Sequence, residues 1–218
     1  MSMPFNFPFT VHLVEDDASL RASIASLLRS ADISVETYAC AEEFLAGSDL
    51  RARGCLLLDV QLPGSSGVDL QARLKEMGHD MPIVFLTGFG TIPMTVRAMR
   101  AGAVEFLTKP FLEEDLLAAI DAAVARDSEN WESRQREVGL RERYASLSPR
   151  QKQVLKLVAD GRMNKVIAAE LGITEITVKV HRRQVMERLD VRTLADLVRA
   201  AERLGISDGA LPGASAGR

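Results

Sequence analysis

The first half of the chain alternates short apolar runs with longer stretches in which apolar residues recur every three or four positions. A short, nearly all-apolar run is typical of a strand buried on both faces, and the wider spacing is typical of an amphipathic helix. The pattern predicts strands at residues 11–14, 34–38, 55–58, 83–86 and 104–107, separated by helices. Right-handed crossovers join such strands in parallel, so we predict an α/β domain whose parallel sheet of five strands carries helices on both faces.

A long helix is predicted after this sheet. The stretch Glu113–Ala145 contains no proline, one glycine (Gly139) and many helix-forming residues. This composition favours a helix over a flexible tether, so we predict that the last helix of the first domain continues from about Glu113 well past Trp131. Its apolar residues are sparse, with Trp131 and Val138 seven apart, so the pattern leaves open whether part of it is a solvated rod or a partner-binding face.

The last third of the chain is predicted to be helical throughout. Ser148 followed by Pro149 is typical of the N-cap and first position of a helix. Three more helices are predicted at residues 164–171, 174–189 and 194–204, and the Gly, Ala, Pro and Ser residues from about Ser207 predict a disordered tail. The predicted organisation is a first domain over 1–125, a helical linker over 126–147, an all-α four-helix domain over 148–206 and a tail over 207–218.

The composition is that of ordinary globular domains. Apolar residues make up 47% of the chain and charged residues 26%, and no run approaches the roughly 20 apolar residues of a membrane span. Residues 1–10 lack the basic start and long apolar stretch of a signal peptide, so we expect a cytoplasmic protein without a membrane partner. Cys40 and Cys55 show neither CxxC spacing nor a histidine at metal-ligand spacing, so we expect both to be reduced and buried.

Charge divides the chain in two. Residues 1–127 carry 10 Lys and Arg against 18 Asp and Glu, a balance of −8, whereas residues 148–218 carry 13 against 8, a balance of +5. The two ends are therefore expected to have different partners. A basic C-terminal part is what binding to a phosphate backbone requires, although a balance of this size is also common on ordinary surfaces.

Acidic residues follow two of the predicted strands at their carboxyl ends. Glu15, Asp16 and Asp17 follow the first strand, and Asp59 follows the third. In open α/β sheets this edge is where ligands bind. Capping of the next helix accounts for Asp17, because acidic side chains favour the positive end of a helix. Capping does not account for Asp59, which ends an apolar strand and precedes a turn-rich loop.

Two further strand ends add a hydroxyl and an ammonium group to this edge. The fourth strand leads into Thr87, and the fifth leads into Thr108, Lys109 and Pro110. Carboxylate oxygens are ligands that Mg²⁺ prefers, and the ion together with Lys109 would neutralise charge on a transferring phosphoryl group. A carboxylate beside Mg²⁺ can accept phosphoryl and form an acyl phosphate, so the sequence predicts a magnesium and phosphoryl site with Asp59 as the nucleophile.

The basic part of the chain contains a predicted helix-turn-helix, because residues 164–174 join two helices through a tight turn at Gly172. In the second helix the positions predicted to form an apolar face are Ile176, Val180 and Leu189. The basic positions predicted to face outward on successive turns are Lys179, Arg182 and Arg183. Basic residues on a helix are often only solvated, so this pattern alone leaves both a DNA-binding surface and a solvated surface open.

These residues resemble those of a known family. The set Glu15-Asp16, Asp59, Thr87 and Lys109-Pro110 is similar to the phosphoacceptor site of two-component receiver domains, whose fold is flavodoxin-like, and the run from Thr87 to Phe111 resembles the FixJ subfamily closely. The resemblance implies that a sensor histidine kinase phosphorylates Asp59. It implies that Mg²⁺ is held by Asp16, Asp59, the main-chain carbonyl of Gln61 and, usually through water, Glu15.

The same resemblance implies roles for the remaining residues of the site. Thr87 and Lys109 would bind the phosphoryl oxygens, Phe106 would change rotamer on activation, and Lys109-Pro110 would be a cis peptide. Packing as half-buried core is the alternative for Phe106. Two positions depart from the family: Glu15 stands where aspartate is more common, and Phe89 stands where FixJ proteins often have histidine. The apolar ring at Phe89 leads us to expect a different switching movement in the loop after the fourth strand.

The C-terminal domain resembles the four-helix DNA-binding domain of the LuxR and NarL proteins from Ser148 to Val198. The resemblance implies that major-groove base edges are contacted by Lys179, Val180 and Arg183. It implies that DNA phosphates are held by Asn164, Lys165, Thr174, Thr177 and Arg182. The last helix is the usual dimer face of such domains, and we expect His181 to be packed inside the domain.

The sequence therefore predicts a phosphorylation-controlled transcription regulator that forms a homodimer on phosphorylation and binds double-stranded DNA, with RNA polymerase as a further expected partner. Its only catalysis would be the magnesium-dependent phosphorylation and dephosphorylation of its own receiver. One alternative is an aspartate-nucleophile phosphotransferase or phosphatase, but the sequence supplies no substrate site for it. The other is a phosphorylation-independent DNA binder with a vestigial receiver, against which the intact acidic set argues.

Overall fold

The computed structural model describes residues 7–88 and 92–206, with the backbone alone described at 92–95. The chain divides into two compact units between Glu132 and Ser133. The strands of the first unit are β1 (Thr10–Val14), β2 (Ser34–Tyr38), β3 (Gly54–Asp59), β4 (Ile83–Thr87) and β5 (Glu105–Thr108). Its helices are α1 (Ala18–Ser30), α2 (Ala41–Gly47), α3 (Gly67–Glu76), α4 (Ile92–Arg100) and the first part of α5 (Glu113–Ala145).

The strands form one parallel sheet in the order β2-β1-β3-β4-β5. This arrangement confirms the predicted α/β fold, and each strand lies within one residue of its predicted bounds. The nearly all-apolar runs are β1, β3 and β4, which occupy the three central positions and are almost completely buried. The two strands with polar residues, β2 and β5, are the partly exposed edges. Apolar content therefore distinguishes the central strands from the edge strands.

Successive side chains of a strand enter two separate cores, because they point to opposite faces. Leu57 packs in a cluster with Ile24 of α1 and Leu116 of α5. Its neighbours on β3, Leu56 and Leu58, pack in a second cluster that also contains residues of α2, α3 and α4. Helices thus cover both faces of the sheet. The edge formed by the carboxyl ends of the strands is where the polar residues lie.

The predicted long helix is confirmed, since α5 runs unbroken from Glu113 to Ala145. Its middle is held by the first unit rather than solvated. Arg53, just before β3, donates to Asp127 Oδ2 at 2.7 Å and to Ser128 Oγ at 2.8 Å. Asn130 donates to the carbonyl of Asp80 at 2.7 Å. These contacts lie near the amino ends of β3 and β4, so residues 127–130 are anchored there. The linker bounds that the sequence suggests, 126 and 147, stay a prediction.

The second unit contains the end of α5 and, after it, the four further helices that the sequence predicts. They are α6 (Pro149–Ala159), α7 (Asn164–Leu171), α8 (Glu175–Leu189) and α9 (Leu194–Arg203). Ser148 is the N-cap of α6 in a reciprocal capping box with Gln151, and Pro149 is its first residue. Gly172 ends α7 at a φ of 65°, which a residue with a side chain rarely adopts. This turn sets the angle between α7 and α8.

Some sequence predictions are corrected by the structure, and others fall on residues that it does not describe. Both cysteines are free and Cys55 is buried, but Cys40 at the start of α2 is only half-buried, contrary to prediction. Over residues 7–88 and 92–206, no helix combines the length and the hydrophobicity that crossing a membrane requires. The predicted tail at 207–218 and the departure at Phe89 lie outside the described residues.

Candidate functional site

The acidic side chains at the carboxyl edge of the sheet come together as predicted. Glu15 directly follows β1 and Asp59 ends β3, which is the neighbouring strand. Carboxylate oxygens of Glu15, Asp16 and Asp59 lie within 4.8 Å of one another. Glu15 and Asp59 are buried, with 1% and 5% of their surface exposed, whereas Asp16 is exposed. Asp16 is therefore the one of these three acids that faces solvent.

Lys109 supplies the positive charge of the cluster. Its Nζ donates to Asp59 Oδ2 and to Glu15 Oε2, each at 2.6 Å. Its main-chain N–H donates to the carbonyl of Thr87 at 2.7 Å, which fixes the loop after β5 to the end of β4. The Lys109-Pro110 peptide is cis, as the resemblance implied. One ammonium group thus lies between two buried carboxylates.

The backbone around Asp59 holds its carboxylate in place. The N–H of Gln61 donates to Asp59 Oδ1 at 2.8 Å, and the N–H of Val60 donates to the carbonyl of Leu86 at 3.0 Å. At the start of α3, a side chain at Gly67 would collide with the carbonyl of Asp59. This position therefore requires glycine so that the loop can close over the end of β3.

The electrostatics of the site follow from burial and from the shared ammonium group. Burial is the main cause that raises the pKa of Glu15, and the nearby charge of Asp59 raises it further. Burial on its own would lower the pKa of Lys109, but its hydrogen bonds to Asp59 and Glu15 outweigh that effect and raise it. Three carboxylates around one ammonium leave an excess of two negative charges when all are ionised. An excess of this size, on carboxylate oxygens, suits a divalent cation.

Thr87 and Phe106 lie on the strands next to this cluster. Thr87 ends β4, is completely buried and is opposite Thr108 in the register of the sheet. Phe106 of β5 is half-buried, and its ring centroid lies 5.7 Å from that of Phe85. This packing agrees with the half-buried alternative for Phe106 and leaves its role as a switch a prediction.

Two residues beside the cluster have structural roles. Asp17 caps α1, where its Oδ1 accepts from the N–H groups of Ser19 and Leu20, as predicted. These bonds lower the pKa of Asp17. Arg21 was not predicted: its guanidinium donates to the main-chain carbonyls of Glu15 and Asp16 and so anchors the loop that carries both acids. A basic residue one turn into the helix after an acidic cluster is the only sequence signal for this contact.

Helix α8 of the second unit presents a different face from the one predicted. Its buried residues are Val178, Val185 and Leu189. Ile176 and Val180, which were predicted to belong to the apolar face with Leu189, are 74% and 48% exposed. The inward place expected for Ile176 and Val180 is wrong, because Val178, Val185 and Leu189 form the buried side of the helix. An exposed Val180 is compatible with the contact to base edges that the resemblance implied. Two apolar side chains therefore lie on its outer surface.

The basic residues of α8 divide into two groups. Lys179 and Arg183 are exposed as predicted, and Arg183 donates to Glu187 Oε1 one turn later at 2.8 Å. Arg182 is half-buried, contrary to the prediction that it faces outward, and donates to Asn164 Oδ1 at 2.7 Å. This bond joins the first residue of α7 to the middle of α8. The reason for the difference is that position 182 lies toward the buried side of the helix.

The start of the helix-turn-helix is held by its threonines. Thr174 is the N-cap of α8, where its Oγ1 accepts from the N–H of Thr177 at 3.2 Å and lies 2.9 Å from Thr177 Oγ1. Lys165 is exposed on α7, and His181 is half-buried. A groove of about 320 Å³ runs along α8, and its lining includes Asn164, Lys179, Arg182 and Arg183. The predicted DNA-contacting side chains thus occur on two adjacent helices.

Comparisons with known proteins agree with these two units. Residues 11–121 match the response regulator receiver domain, and residues 145–201 match the bacterial regulatory proteins of the luxR family. The chain is 49% identical to nodulation protein W of Bradyrhizobium diazoefficiens over 90% of this chain and 87% of that one. It is 39% identical to the transcriptional regulatory protein FixJ of Azorhizobium caulinodans over 94% and 96%.

A solved structure gives the same result. The response regulator StyR is 49% identical to this chain, covers 89% of it over 98% of its own length, and superposes with a TM-score of 0.70. The receiver family and the DNA-binding family therefore match consecutive parts of the chain, and relatives match nearly all of it. The chain belongs to the two-component response regulators, as a phosphorylation-controlled transcription regulator of the FixJ type with a receiver domain followed by a LuxR-family DNA-binding domain.

Proposed function

We propose that Asp59 accepts a phosphoryl group from a sensor histidine kinase. The observation that carries this proposal is the burial of the Asp59 carboxylate beside the oxygens of Glu15 and Asp16, with Lys109 Nζ at 2.6 Å. An Asp59 oxygen would attack the phosphorus of the kinase phosphohistidine. The new O–P bond gives an acyl phosphate, and the breaking P–N bond leaves its electron pair on the imidazole.

The donor set fits Mg²⁺, since it consists of carboxylate oxygens with an excess of negative charge. Glu15, Asp16 and Asp59 would hold the ion with the main-chain carbonyl of Gln61, and the bound ion would supply charge neutralisation. Lys109 would keep its bond to Glu15 and pass from the Asp59 carboxylate to a phosphoryl oxygen. The Thr87 hydroxyl would donate to another phosphoryl oxygen. The domain would catalyse only its own phosphorylation and dephosphorylation.

Phosphorylation would act by shifting the equilibrium between two conformations of the receiver domain. A phosphoryl group on Asp59 removes the partner that Lys109 has in this structure and offers Thr87 a strong acceptor. We infer that Thr87 moves toward it and that Phe106, which is only half-buried, follows into the space that is vacated. The outer surface around β5 would then change shape and favour a homodimer.

The second unit would bind double-stranded DNA with α8 in the major groove. Lys179, Val180 and Arg183 would contact base edges. The phosphate contacts would come from Asn164, Lys165, Thr174, Thr177 and Arg182. A dimer would place two such helices on the duplex, from which the protein would recruit RNA polymerase. Because its target is chromosomal DNA, we place the protein in the cytoplasm.

One experiment tests the whole sequence of events. The mass of the full chain and its affinity for DNA fragments are measured before and after addition of Mg²⁺ and beryllofluoride, which mimics a phosphoryl group on aspartate. We expect a change from monomer toward dimer together with tighter binding, and neither change in Asp59→Asn. DNA binding that is equally tight with and without beryllofluoride would instead indicate a vestigial receiver.

A further inference from the structure

Ile176 is the most exposed of the large apolar side chains that the structure describes, with 74% of its surface accessible. It lies in the first turn of α8, at an exposed position that a polar side chain could occupy without loss of buried contacts. Neither Ile176 nor Val180 belongs to the apolar core of the second unit or to the partly buried side chains packed against it. Packing inside the domain therefore does not account for this isoleucine.

The position of Ile176 on the helix relates it to other exposed residues. Ile176, Lys179, Val180 and Arg183 stand at spacings of three, four and seven, so they form one stripe along α8. The buried side chains Val178, Val185 and Leu189 lie nearly on the opposite side. The stripe thus combines two apolar side chains, Ile176 and Val180, with two basic ones, Lys179 and Arg183. Ile176 is at its amino end.

This stripe is chemically complementary to a major-groove edge that contains thymine. The groove presents the thymine 5-methyl group beside base and phosphate acceptors, and aliphatic side chains contact that methyl group. Amino-terminal residues of a recognition helix are the ones that reach base edges. The charges of Lys179 and Arg183 favour a polyanion over an apolar protein surface as the occupant, although Glu187 on the same side pairs with Arg183 in the free protein.

We propose that Ile176 is a specificity-determining residue that contacts the 5-methyl group of thymine, with Val180 beside it. The preferred DNA site then carries thymine at one or two base pairs under the start of α8. This inference rests on the proposed role of α8 as the reading helix. It adds a residue that the pattern of basic and phosphate-binding positions does not include, and it gives the base that this residue reads.

The test uses DNA chosen by the protein itself. The full chain, treated with Mg²⁺ and beryllofluoride, selects duplexes from a random-sequence library, and the preferred duplex is synthesised with each thymine replaced in turn by deoxyuridine. This change removes one methyl group and keeps base pairing. We expect one or two replacements to weaken binding by the wild-type protein about three- to tenfold, which is what loss of a methyl contact costs.

Variants then locate the contact. Ile176→Ser should bind the thymine duplex about three- to tenfold more weakly and should no longer distinguish thymine from deoxyuridine at the position that Ile176 contacts. Ile176→Leu should retain the distinction. Val138→Ser is the matched control, because Val138 is 50% exposed on α5 and has no place in the stripe. It should behave as wild type.

Two results would overturn the inference while leaving the proposed function in place. Either the wild-type protein selects a sequence but tolerates every deoxyuridine, or Ile176→Ser stays as sensitive to deoxyuridine as wild type. A failure of the proposed function is different: the protein would then select no sequence from the library, which overturns both. Circular dichroism of each variant shows that a loss of binding is not a loss of helix.

Discussion

Lys109 Nζ lies 2.6 Å from Asp59 Oδ2, although the two residues are 50 positions apart in the sequence. The same ammonium group bonds to Glu15 at 2.6 Å, so it is shared by the two buried carboxylates of the cluster. In the proposed mechanism, phosphorylation of Asp59 would replace the first bond with one to a phosphoryl oxygen, whereas the second would remain. One modification would then change the partner of Lys109.

The first prediction concerns the phosphoacceptor. In the presence of Mg²⁺ and acetyl phosphate, the full chain should take up one phosphoryl group, and Asp59→Asn should take up none because an amide oxygen is too weak a nucleophile. Intact-protein mass spectrometry measures the uptake. Asp32→Asn is the control, since Asp32 is exposed at a φ of 60° that asparagine also tolerates. Full uptake by Asp59→Asn would refute the assignment, and chelation of Mg²⁺ should abolish uptake by the wild type.

The second prediction concerns Lys109 as a competitor of the metal ion. Its ammonium group lies on two of the three carboxylates proposed to hold Mg²⁺, so it repels a divalent cation. Lys109→Ala should therefore bind Mg²⁺ more tightly, by about threefold or more, as measured by isothermal titration calorimetry. Lys75→Ala, at an exposed position on α3, should bind it as wild type does. Weaker binding in Lys109→Ala would mean that Lys109 orders the carboxylates rather than competing with the ion.

The third prediction concerns the anchor of α5. Arg53 and Asp127 form an ion pair at 2.7 Å, with side chains 13% and 1% exposed, and the Arg53 guanidinium lies 3.3 Å from the centroid of the Phe7 ring. Arg53→Ala should lower the free energy of unfolding of the first unit by about 3 kcal/mol, because it takes the cation from a buried carboxylate. Urea titration followed by tryptophan fluorescence measures this, since Trp131 is the only tryptophan.

Arg51→Ala is the matched control for the anchor, because Arg51 is exposed two residues earlier. It should change the free energy of unfolding by less than about 0.5 kcal/mol. Hydrogen exchange adds a local measure: amides of residues 127–132 should exchange faster in Arg53→Ala than in Arg51→Ala. Equal exchange in the two variants would show that this part of α5 is held by helix propensity alone.

The fourth prediction concerns pH and His12. Burial lowers the pKa of this side chain below 6.5, against smaller opposing effects of the carboxylates of Glu36 and Asp49. As the pH falls below 6.5, the unfolded chain gains a proton at His12 that the native chain does not, so the stability of the first unit falls until the lowered native pKa is reached. His12→Leu should lose less stability than wild type between pH 7 and 5. Parallel stability curves for the two proteins would contradict this.

Much of the receiver could be predicted from sequence because its signals are local. A strand buried on both faces must be apolar along its whole length, so β3 was visible as a run, and Asp59 was conspicuous as the acid that ends it. Parallel strands place their carboxyl ends at one edge, so Glu15 and Asp59 were expected to meet. The sequence contains no comparable signal for Arg53 and Asp127, which are 74 residues apart. Their contact depends on where α5 passes the sheet.

Helix α8 shows why burial of single residues is harder to predict. Ile176 and Val180 stand four apart, which is the spacing of a core-facing pair, but Val178 and Val185 stand seven apart and fit a helical face equally well. Periodicity cannot choose between two such faces when both carry apolar residues. The choice was made by the packing of α6 and α7 against the helix, which is a tertiary effect.

The last prediction separates residues that position the DNA from residues that read it. Lys165 is exposed on α7 and is proposed to contact phosphate, whereas Lys179 and Arg183 are exposed on the stripe of α8. Lys165→Ala should weaken binding to all sequences about equally and reduce the slope of log affinity against log salt by about one, because it deletes one contact that is blind to sequence. Lys179→Ala or Arg183→Ala should cost about 1 to 3 kcal/mol on the preferred duplex and much less on random DNA.

The ion pair between Arg183 and Glu187 sharpens this comparison. Glu187 holds the Arg183 guanidinium at 2.8 Å in the free protein, and a carboxylate on this face also repels DNA. Glu187→Gln should therefore bind both duplexes more tightly. Arg183→Ala should instead lose affinity mainly for the preferred duplex. Salt titrations of each variant on preferred and random duplexes distinguish the two effects. If Lys179→Ala and Arg183→Ala lose affinity uniformly, as Lys165→Ala does, then α8 holds the backbone and the bases are read elsewhere.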